Sequence, residues 1–319
     1  MAFDIRDPDN KLYVCCTFAS VAVMLAAAVV SVAYLAVKAP DEAYILSTGE
    51  NAVGLWTTVF CTIVFLVCLA LLLKDAVKRL RSCPTEERDA RFMRSPLSKA
   101  GMLLAVNIAV TVPILLVSDM IGMEVTEDFI GHMSDYEMMA SMMEAGPLEE
   151  FSCRILLIGV PVMLVCLLKG HKGCFKNVFG GFGMSRTALF FLVVSSLVFG
   201  LMHLDGWTVM KVPQTFASGM MFGYVFIQYG AHASIVMHST FDMMASFDYL
   251  MAGTGTVPLM FLTVVGLVLL VRSLFKIRSY IPDNNLHEPF EGNLIEMWER
   301  DRGSRFHVGR TGCRARRLA

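Results

Sequence analysis

Residues 15–37 read CCTFASVAVMLAAAVVSVAYLAV and contain no charged side chain. A helix needs about 20 predominantly apolar residues to cross the hydrocarbon core of a bilayer, so this stretch is long enough to span one. The whole chain of 319 residues is 55% hydrophobic and 17% charged, whereas a soluble domain carries about 25% charge. Composition and run length together predict an integral membrane protein.

Eight apolar segments can be delimited by the charges that flank them. They cover residues 13–37, 52–73, 102–122, 148–168, 187–204, 207–229, 233–251 and 257–274. They predict an all-α, polytopic transmembrane helical bundle with about eight spans, multi-pass in the cell membrane. The sixth segment contains Lys211 and Pro213, and the proline predicts a helix break nearby.

The distribution of charge between the segments predicts the orientation. The linker 74–99 has eight basic residues and the linker 169–186 has four, whereas the stretches 41–51 and 124–146 are acidic. Since Lys and Arg accumulate in cytoplasmic loops, both termini are predicted to be cytoplasmic. We divide the chain into N-terminal transmembrane helices (1–123), a catalytic transmembrane core (124–275) and a cytoplasmic polar tail (276–319).

Other features of the sequence are less specific. The Met-rich stretch 129–145 fits an interfacial amphipathic helix or an ordinary loop. Nine cysteines without a C-x-x-C pair give weak support to disulfides or thiolate metal sites. The net charge of −1 and the lack of a basic arm with interleaved aromatics give no indication of nucleic-acid binding. The expected partners are the lipid bilayer and a membrane-associated or lipidated peptide, and the sequence leaves the oligomeric state open.

Three groups of polar residues lie within or beside apolar segments, where charge costs about 2.5–3.5 kcal/mol per residue. In GPLEEFSCRILLIGV, Gly146 and Pro147 predict a helix start. Glu150 and Arg154 are then i,i+4 neighbours that can pair, which leaves Glu149 unpaired. The alternative is that these residues have a structural role only, in which acidic side chains complement the N-terminal end of the helix dipole and one ion pair forms.

The second and third groups contribute histidines. In SSLVFGLMHLDGW, His203 ends an apolar stretch one turn after Phe199, and a lone interfacial histidine is the alternative. In GAHASIVMHSTFDMM, His238 and Asp242 are four apart, so that Asp242 can accept from the imidazole and fix its tautomer. A structural His–Asp pair between helices is the alternative there. Taken jointly, the three groups indicate a polar interior site.

In order and spacing these residues resemble the motifs of the CPBP family, the type II CAAX prenyl endopeptidases and their relatives. The family's E-E-x-x-x-R, F-x-x-x-H and H-x-x-x-N motifs correspond to EEFSCR (Glu149–Arg154), FGLMH (Phe199–His203) and HSTFD (His238–Asp242). The stretch FASGMMFGYVFIQYGAHASIVMH also looks like the Gly-spaced helix and short turn before the family's last histidine. The likeness covers roughly residues 146–246.

The resemblance implies an intramembrane endopeptidase that cuts near the C-terminus of a prenylated CAAX-type or other membrane-associated peptide. Glu149 would be the general base and hold water with His203, while His238, helped by Asp242, would bind the oxyanion. Glu150, Arg154 and Phe199 would support the site. The family is described both as glutamate peptidases and as metalloproteases. Glu149, His203 and His238 are the candidate ligands if zinc is used, yet no H-E-x-x-H is present, which favours metal-independent chemistry.

One residue departs from the family pattern. Asp242 replaces the usual asparagine, and an ionised carboxylate cannot donate to an oxyanion as an amide can. Asp242 would act either as a protonated acid in an apolar site or by orienting His238. The departure also favours the main alternative, a non-catalytic bacteriocin-immunity or scaffold protein on the same fold. A proton-coupled transporter is a third hypothesis. The lack of a sequence repeat between the two halves of the chain argues against it.

The predicted topology carries one geometric condition. It puts Glu149 and His203 near the outer ends of their segments and His238 near the inner end of its own. The three side chains can meet only if the fourth helix starts below the membrane surface, or if the seventh is tilted or shifted.

Overall fold

The structure, a computed structural model, describes residues 8–46, 52–82, 88–122, 133–170, 173–204, 207–250 and 254–280. Within these ranges the protein is all-helical and no strand occurs. The α-helices are α1 (Pro8–Leu46), α2 (Ala52–Arg81), α3 (Arg88–Phe92), α4 (Pro96–Met120), α5 (Asp135–Glu149), α6 (Val160–Leu168), α7 (Arg186–Met202), α8 (Lys211–Tyr229), α9 (Ala231–Leu250) and α10 (Thr256–Tyr280). A π-helical segment, Glu150–Gly159, joins α5 to α6, and a 3-10 segment, Cys174–Phe179, follows α6. Most of the predicted polar tail lies outside the described residues.

Five of the described helical stretches are long and apolar enough to cross a membrane. They are Lys11–Pro40, Gly54–Arg81, Pro96–Ser118, Asp135–Leu168 and Thr256–Leu274. Helix α7 is apolar but shorter, and α8 and α9 are not among the five. Each of the eight predicted segments has a helix, so the helical, multi-pass class is confirmed. The count of eight spans and the cytoplasmic termini stay predictions.

The helix that carries Glu149 begins much earlier than the sequence predicted. Ser134 caps α5 through a capping box with Glu137, and the helix continues without interruption from Asp135 to Leu168. Pro147 therefore lies inside a helix rather than at its start. A proline there removes one backbone donor and crowds the preceding turn, and the π-helical segment, with its i→i+5 bonding, begins three residues later at Glu150.

This longer helix also changes the interpretation of residues 129–145. From Asp135 onward they form neither an interfacial helix nor a loop, because Tyr136, Met139 and Met143 are buried against the rest of the bundle; residues 129–132 lie outside the described part. Glu149 is near the middle of the 34-residue stretch, about 21 Å from its start at 1.5 Å per residue. Glu149 is thus placed deep along its helix by the earlier start of the helix, and not by a start below the membrane surface as the sequence analysis required.

Helices α7 and α8 pack closely and antiparallel through small residues. A methyl group on Gly219 would lie 3.2 Å from the Cα atom of Ser196, and one on Gly200 would lie 3.3 Å from the Val212 carbonyl oxygen. Small residues let helices in a membrane approach this closely. Helix α8 begins at Lys211, so that Pro213 lies in its first turn, and Gly230, at φ +98°, makes the turn into α9.

The outer surface of the bundle is apolar. On α2, Trp56, Phe60, Ile63 and Val67 are exposed. Large exposed apolar surfaces are rare on soluble monomers, so these side chains are the expected lipid-facing surface of a membrane protein.

A disulfide joins Cys166 at the end of α6 to Cys174 in the 3-10 segment. Disulfides had only weak support from the sequence, because no C-x-x-C pair occurs, and this bond corrects that expectation. Disulfides persist in oxidising compartments, whereas the basic residues of the same loop predict the cytoplasm. The two features therefore favour opposite orientations of this loop.

We expect reduction of the denatured protein to expose two further thiols to a maleimide–polyethylene glycol reagent, because Cys166 and Cys174 are bonded. Gel shift before and after reduction measures the gain. The Cys166→Ser/Cys174→Ser double variant is the matched control and should gain none. An unreduced wild-type protein that already labels as heavily as the reduced one would contradict the bond.

Candidate active site

Glu150 is the centre of a buried polar cluster between the π-helical segment and α9. Its side chain is about 1% exposed. Oε1 accepts a hydrogen bond from Nδ1 of His238 at 2.9 Å, and Oε2 accepts one from the hydroxyl of Ser234. A carboxylate at this depth is tolerated only when it is paired and hydrogen-bonded, and both requirements are met here.

Arg154 balances the charge of Glu150. Its Nε atom lies 3.4 Å from Oε1 of Glu150, and its side chain has no exposed surface. The guanidinium carbon also lies 4.5 Å from the centroid of the Phe199 ring and 5.8 Å from that of Phe222. Cation–π attraction of this kind strengthens when it is desolvated. The predicted i,i+4 pair is thus present, and two aromatic rings complete it.

His238 is held by carboxylates on both sides of its ring. Nδ1 pairs with Glu150, while Nε2 lies 3.2 Å from Oδ2 of Asp242 and 3.6 Å from Oε2 of Glu149. The ring stacks on Phe222, with the centroids 4.2 Å apart. A histidine that donates from both nitrogens has no free lone pair, so this arrangement fixes the imidazole as a donor.

Exposure increases outward from this centre. The side chain of Glu150 is about 1% exposed, that of Asp242 17% and that of Glu149 29%. Glu149 is therefore the carboxylate that a water molecule or a ligand can reach, while Glu150 is closed off. Burial thus distinguishes two adjacent glutamates that the sequence alone could separate only by helical angle.

Local backbone geometry lets both glutamates reach the same histidine. Successive residues of a π-helix are separated by a smaller angle than those of an α-helix, because more residues make one turn. The close approach of α5 to α9 also contributes, since a Cβ atom on Gly146 would overlap Ser239 of α9. Gly146 is therefore a contact residue between α5 and α9 and does not mark the start of a helix.

His203 lies beside the cluster without joining it directly. It caps the C-terminus of α7, and its Nδ1 atom donates to the carbonyl oxygen of Phe199 at 2.8 Å. The Phe199 ring makes edge contacts with both imidazoles, at centroid distances of 4.8 Å to His203 and 5.6 Å to His238. Because Nδ1 carries the proton, Nε2 of the neutral ring keeps its lone pair, and in the described part of the chain His203 makes no ion pair.

The residues present do not fit a zinc ion bound by Glu149, His203 and His238. Both ring nitrogens of His238 face carboxylates. The ring would have to break one of these contacts to bind a zinc ion. No group of three or more His, Cys, Asp or Glu side chains with metal-binding geometry occurs among the described residues.

Sequence reasoning missed the direct contact between Glu150 and His238 and assigned Glu150 only to the ion pair with Arg154. It also missed Ser234 and Phe222. Ser234 lies one turn before His238 on the same face of α9, and this spacing could have identified it. Phe222 carried no such signal, because apolar residues fill most of α8.

Residues 136–244 match the family model described as "Type II CAAX prenyl endopeptidase Rce1-like". This range includes Glu149, Glu150, Arg154, His203, His238 and Asp242, so the resemblance predicted from the motifs is confirmed over this segment. The family supports a peptidase of the CAAX-protease type. No curated protein and no solved structure matches the chain significantly.

We expect Arg154→Met to lower the free energy of unfolding by about 3–5 kcal/mol, because it removes one partner of a fully buried ion pair. Thermal unfolding in detergent measures the loss. The matched control is Arg79→Met, which breaks an i,i+4 pair with Asp75 in which both side chains are a third or more exposed and should cost less than about 1 kcal/mol. Equal losses for the two variants would contradict the buried pair.

Proposed function

We propose that this chain is an intramembrane endopeptidase in which Glu149 activates a water molecule that attacks a peptide bond. The observation that carries the proposal is the position of Glu149. It is a partly exposed carboxylate 3.6 Å from the buried ring of His238, within the segment that matches the endopeptidase family. Peptide hydrolysis needs an activated nucleophile and a donor for the oxyanion, and these two groups supply one each.

The base is Glu149 rather than Glu150. Glu150 already accepts from His238 and Ser234 and pairs with Arg154, so its oxygens are occupied. Glu149 has accessible surface and can accept a proton from water. Two carboxylates in different surroundings commonly divide structural and acid–base roles in this way.

His203 helps to hold the attacking water. Because its Nδ1 atom donates to the Phe199 carbonyl, the Nε2 atom of the neutral ring is left as an acceptor. A water molecule that donates one hydrogen to Glu149 and the other to His203 directs a lone pair at the substrate carbonyl. Phe199 fixes the ring of His203 relative to that of His238 through its contacts with both.

His238 stabilises the tetrahedral intermediate. Its Nε2–H group faces Asp242 and Glu149, on the more exposed side of the ring. As the water oxygen bonds to the carbonyl carbon, one water proton passes to Glu149 and negative charge collects on the carbonyl oxygen, which shares the Nε2–H group of His238 with Asp242. Glu149 then returns the proton to the amide nitrogen while the C–N bond breaks, which gives a carboxylic acid and an amine; the acid proton then passes to the amine, leaving a carboxylate and an ammonium.

Asp242 acts by orienting His238. At 3.2 Å from Nε2, a carboxylate oxygen accepts from the ring, and the amide oxygen of an asparagine would accept equally well. This supports the orienting role over oxyanion donation. It also weakens the argument that this replacement indicates a non-catalytic immunity or scaffold protein, since the contact with the histidine is retained.

The substrate we propose is a membrane-associated or lipidated peptide, of which a prenylated CAAX-type C-terminus is the first candidate. The cluster lies near the middle of a helix of membrane-spanning length, where a peptide anchored by a lipid can reach it and a freely soluble one gains nothing from the bilayer. We assign no metal to the reaction, and we propose the cell membrane as the location.

We expect Glu149→Gln to reduce cleavage of a farnesylated CAAX peptide by at least about 10²-fold, the lower range for loss of a general base. The control is Glu144→Gln on the same helix. Glu144 lies outside the cluster and accepts a hydrogen bond of 2.5 Å from the hydroxyl of Thr58. Purified protein and a fluorescent peptide suffice for the measurement. Cleavage that survives Glu149→Gln would refute the mechanism.

Asp242→Asn should keep cleavage within about tenfold of wild type, whereas Asp242→Ala should lose about 10²-fold or more, because only alanine removes the acceptor that orients a catalytic histidine. Steady-state rates on the same peptide measure both. If Asp242→Asn were as inactive as Asp242→Ala, a role for the negative charge itself would replace the orienting role.

A further inference from the structure

Lys211 is a basic residue that the proposed mechanism does not use. It is the first residue of α8 and is half-buried. Its ammonium nitrogen lies 4.1 Å from the centroid of the Trp207 ring. The end of α7 that carries His203 packs against this part of α8, where Gly200 faces Val212. Lys211 therefore lies at the same end of the helix pair as His203.

The helix directions relate Lys211 to the carboxylates of the cluster. Helices α8 and α9 are antiparallel, since Gly230 alone joins them and the Phe222 ring, eight residues before it, stacks on that of His238, eight residues after it. Going from His238 to Asp242 along α9 is therefore going towards the start of α8. The more exposed members of the cluster lie on this side, so the site opens towards the end where Lys211 lies.

The positive charge of Lys211 is attracted but not neutralised. Asp242 and Glu149 both attract the ammonium group electrostatically. Yet no ion pair within 4 Å involves Lys211 in the ranges that the structure describes. The ammonium rests on an aromatic face instead, a contact from which a desolvated anion could draw it.

A second polar group close by lacks a partner. Gln214 is one turn after Lys211 on the same face of α8. The residue is 3% exposed, and its Oε1 atom has no hydrogen-bond partner among the described residues. Buried amides are normally paired, so an unpaired one beside a half-buried ammonium indicates a site that a ligand completes. The positive end of the α8 dipole adds to the preference for an anion.

We propose that Lys211 binds the C-terminal carboxylate of the substrate peptide, with Gln214 accepting from a peptide N–H group next to it. This inference rests on the proposed peptidase function and deepens it, because it limits the substrates to peptides that end in a free carboxylate near the bond that is cut. A CAAX sequence is a C-terminal sequence by definition, and an ammonium at the mouth of the site selects such an end by charge.

The test compares a fluorescent farnesylated CAAX peptide as the free acid and as the C-terminal amide, using the full-length protein in detergent. We expect the wild type to cleave the acid about tenfold or more faster in kcat/KM, the factor that one charge-assisted hydrogen bond supplies. Lys211→Met should cleave both peptides at the rate of the amide. Lys211→Arg should restore the preference, because it restores the charge.

Lys169→Met, which removes an exposed lysine at the other end of the bundle, is the matched control and should leave the preference unchanged. Thermal unfolding of each variant separates misfolding from loss of recognition. Equal cleavage of acid and amide by the wild type, or a preference that survives Lys211→Met, would overturn the assignment.

A binding measurement separates this inference from the proposed function. Fluorescence anisotropy with the Glu149→Gln variant compares the affinities for the two peptides without cleavage. If the wild type cleaves neither peptide but this variant binds the acid about tenfold more tightly, the carboxylate site stands and the peptidase proposal fails. If cleavage occurs and both assays show no preference for the acid, the peptidase proposal stands and the carboxylate site fails.

Discussion

A fully buried arginine inside an apolar helical bundle is the constraint on which the rest of this structure depends. Arg154 has no exposed surface, and an unpaired charge at such a site costs several kcal/mol. Glu150 supplies the counter-charge from one turn earlier, and Phe199 and Phe222 supply aromatic faces. Because these partners come from the π-helical segment, α7 and α8, compensating the charge of one guanidinium draws three elements together.

The same requirement brings in α9. Glu150 has more acceptor capacity than Arg154 uses, and His238 and Ser234 take the remainder. His238 is thereby oriented with its second nitrogen towards the exposed side, where Asp242 and Glu149 lie. The buried half of the cluster thus acts as a support, and the accessible half, with Glu149, Asp242 and the neighbouring His203, is where we propose that chemistry takes place. The division follows from depth and hydrogen bonding more than from residue type.

Local spacing made much of this cluster predictable. The i,i+4 relations of Glu150 with Arg154 and of His238 with Asp242 could be derived from the sequence, because helical spacing alone determines which side chains are neighbours. The start of α5 could not, since Gly146 and Pro147 are typical of a helix start and only packing against α9 keeps them inside one. The contact between Glu150 and His238 and the disulfide at Cys166 depend on how distant segments pack, which no local pattern encodes.

The position of a bound peptide tests the account most directly. An experimental structure of the protein with a farnesylated peptide analogue, in which a hydroxyethylene group replaces the bond to be cut, would locate it. The account predicts that the hydroxyl lies within hydrogen-bond distance of Glu149 and of Nε2 of His238, while Glu150 and Arg154 stay paired beneath. A hydroxyl bound away from these two residues, or a peptide seated on another face of the bundle, would contradict it.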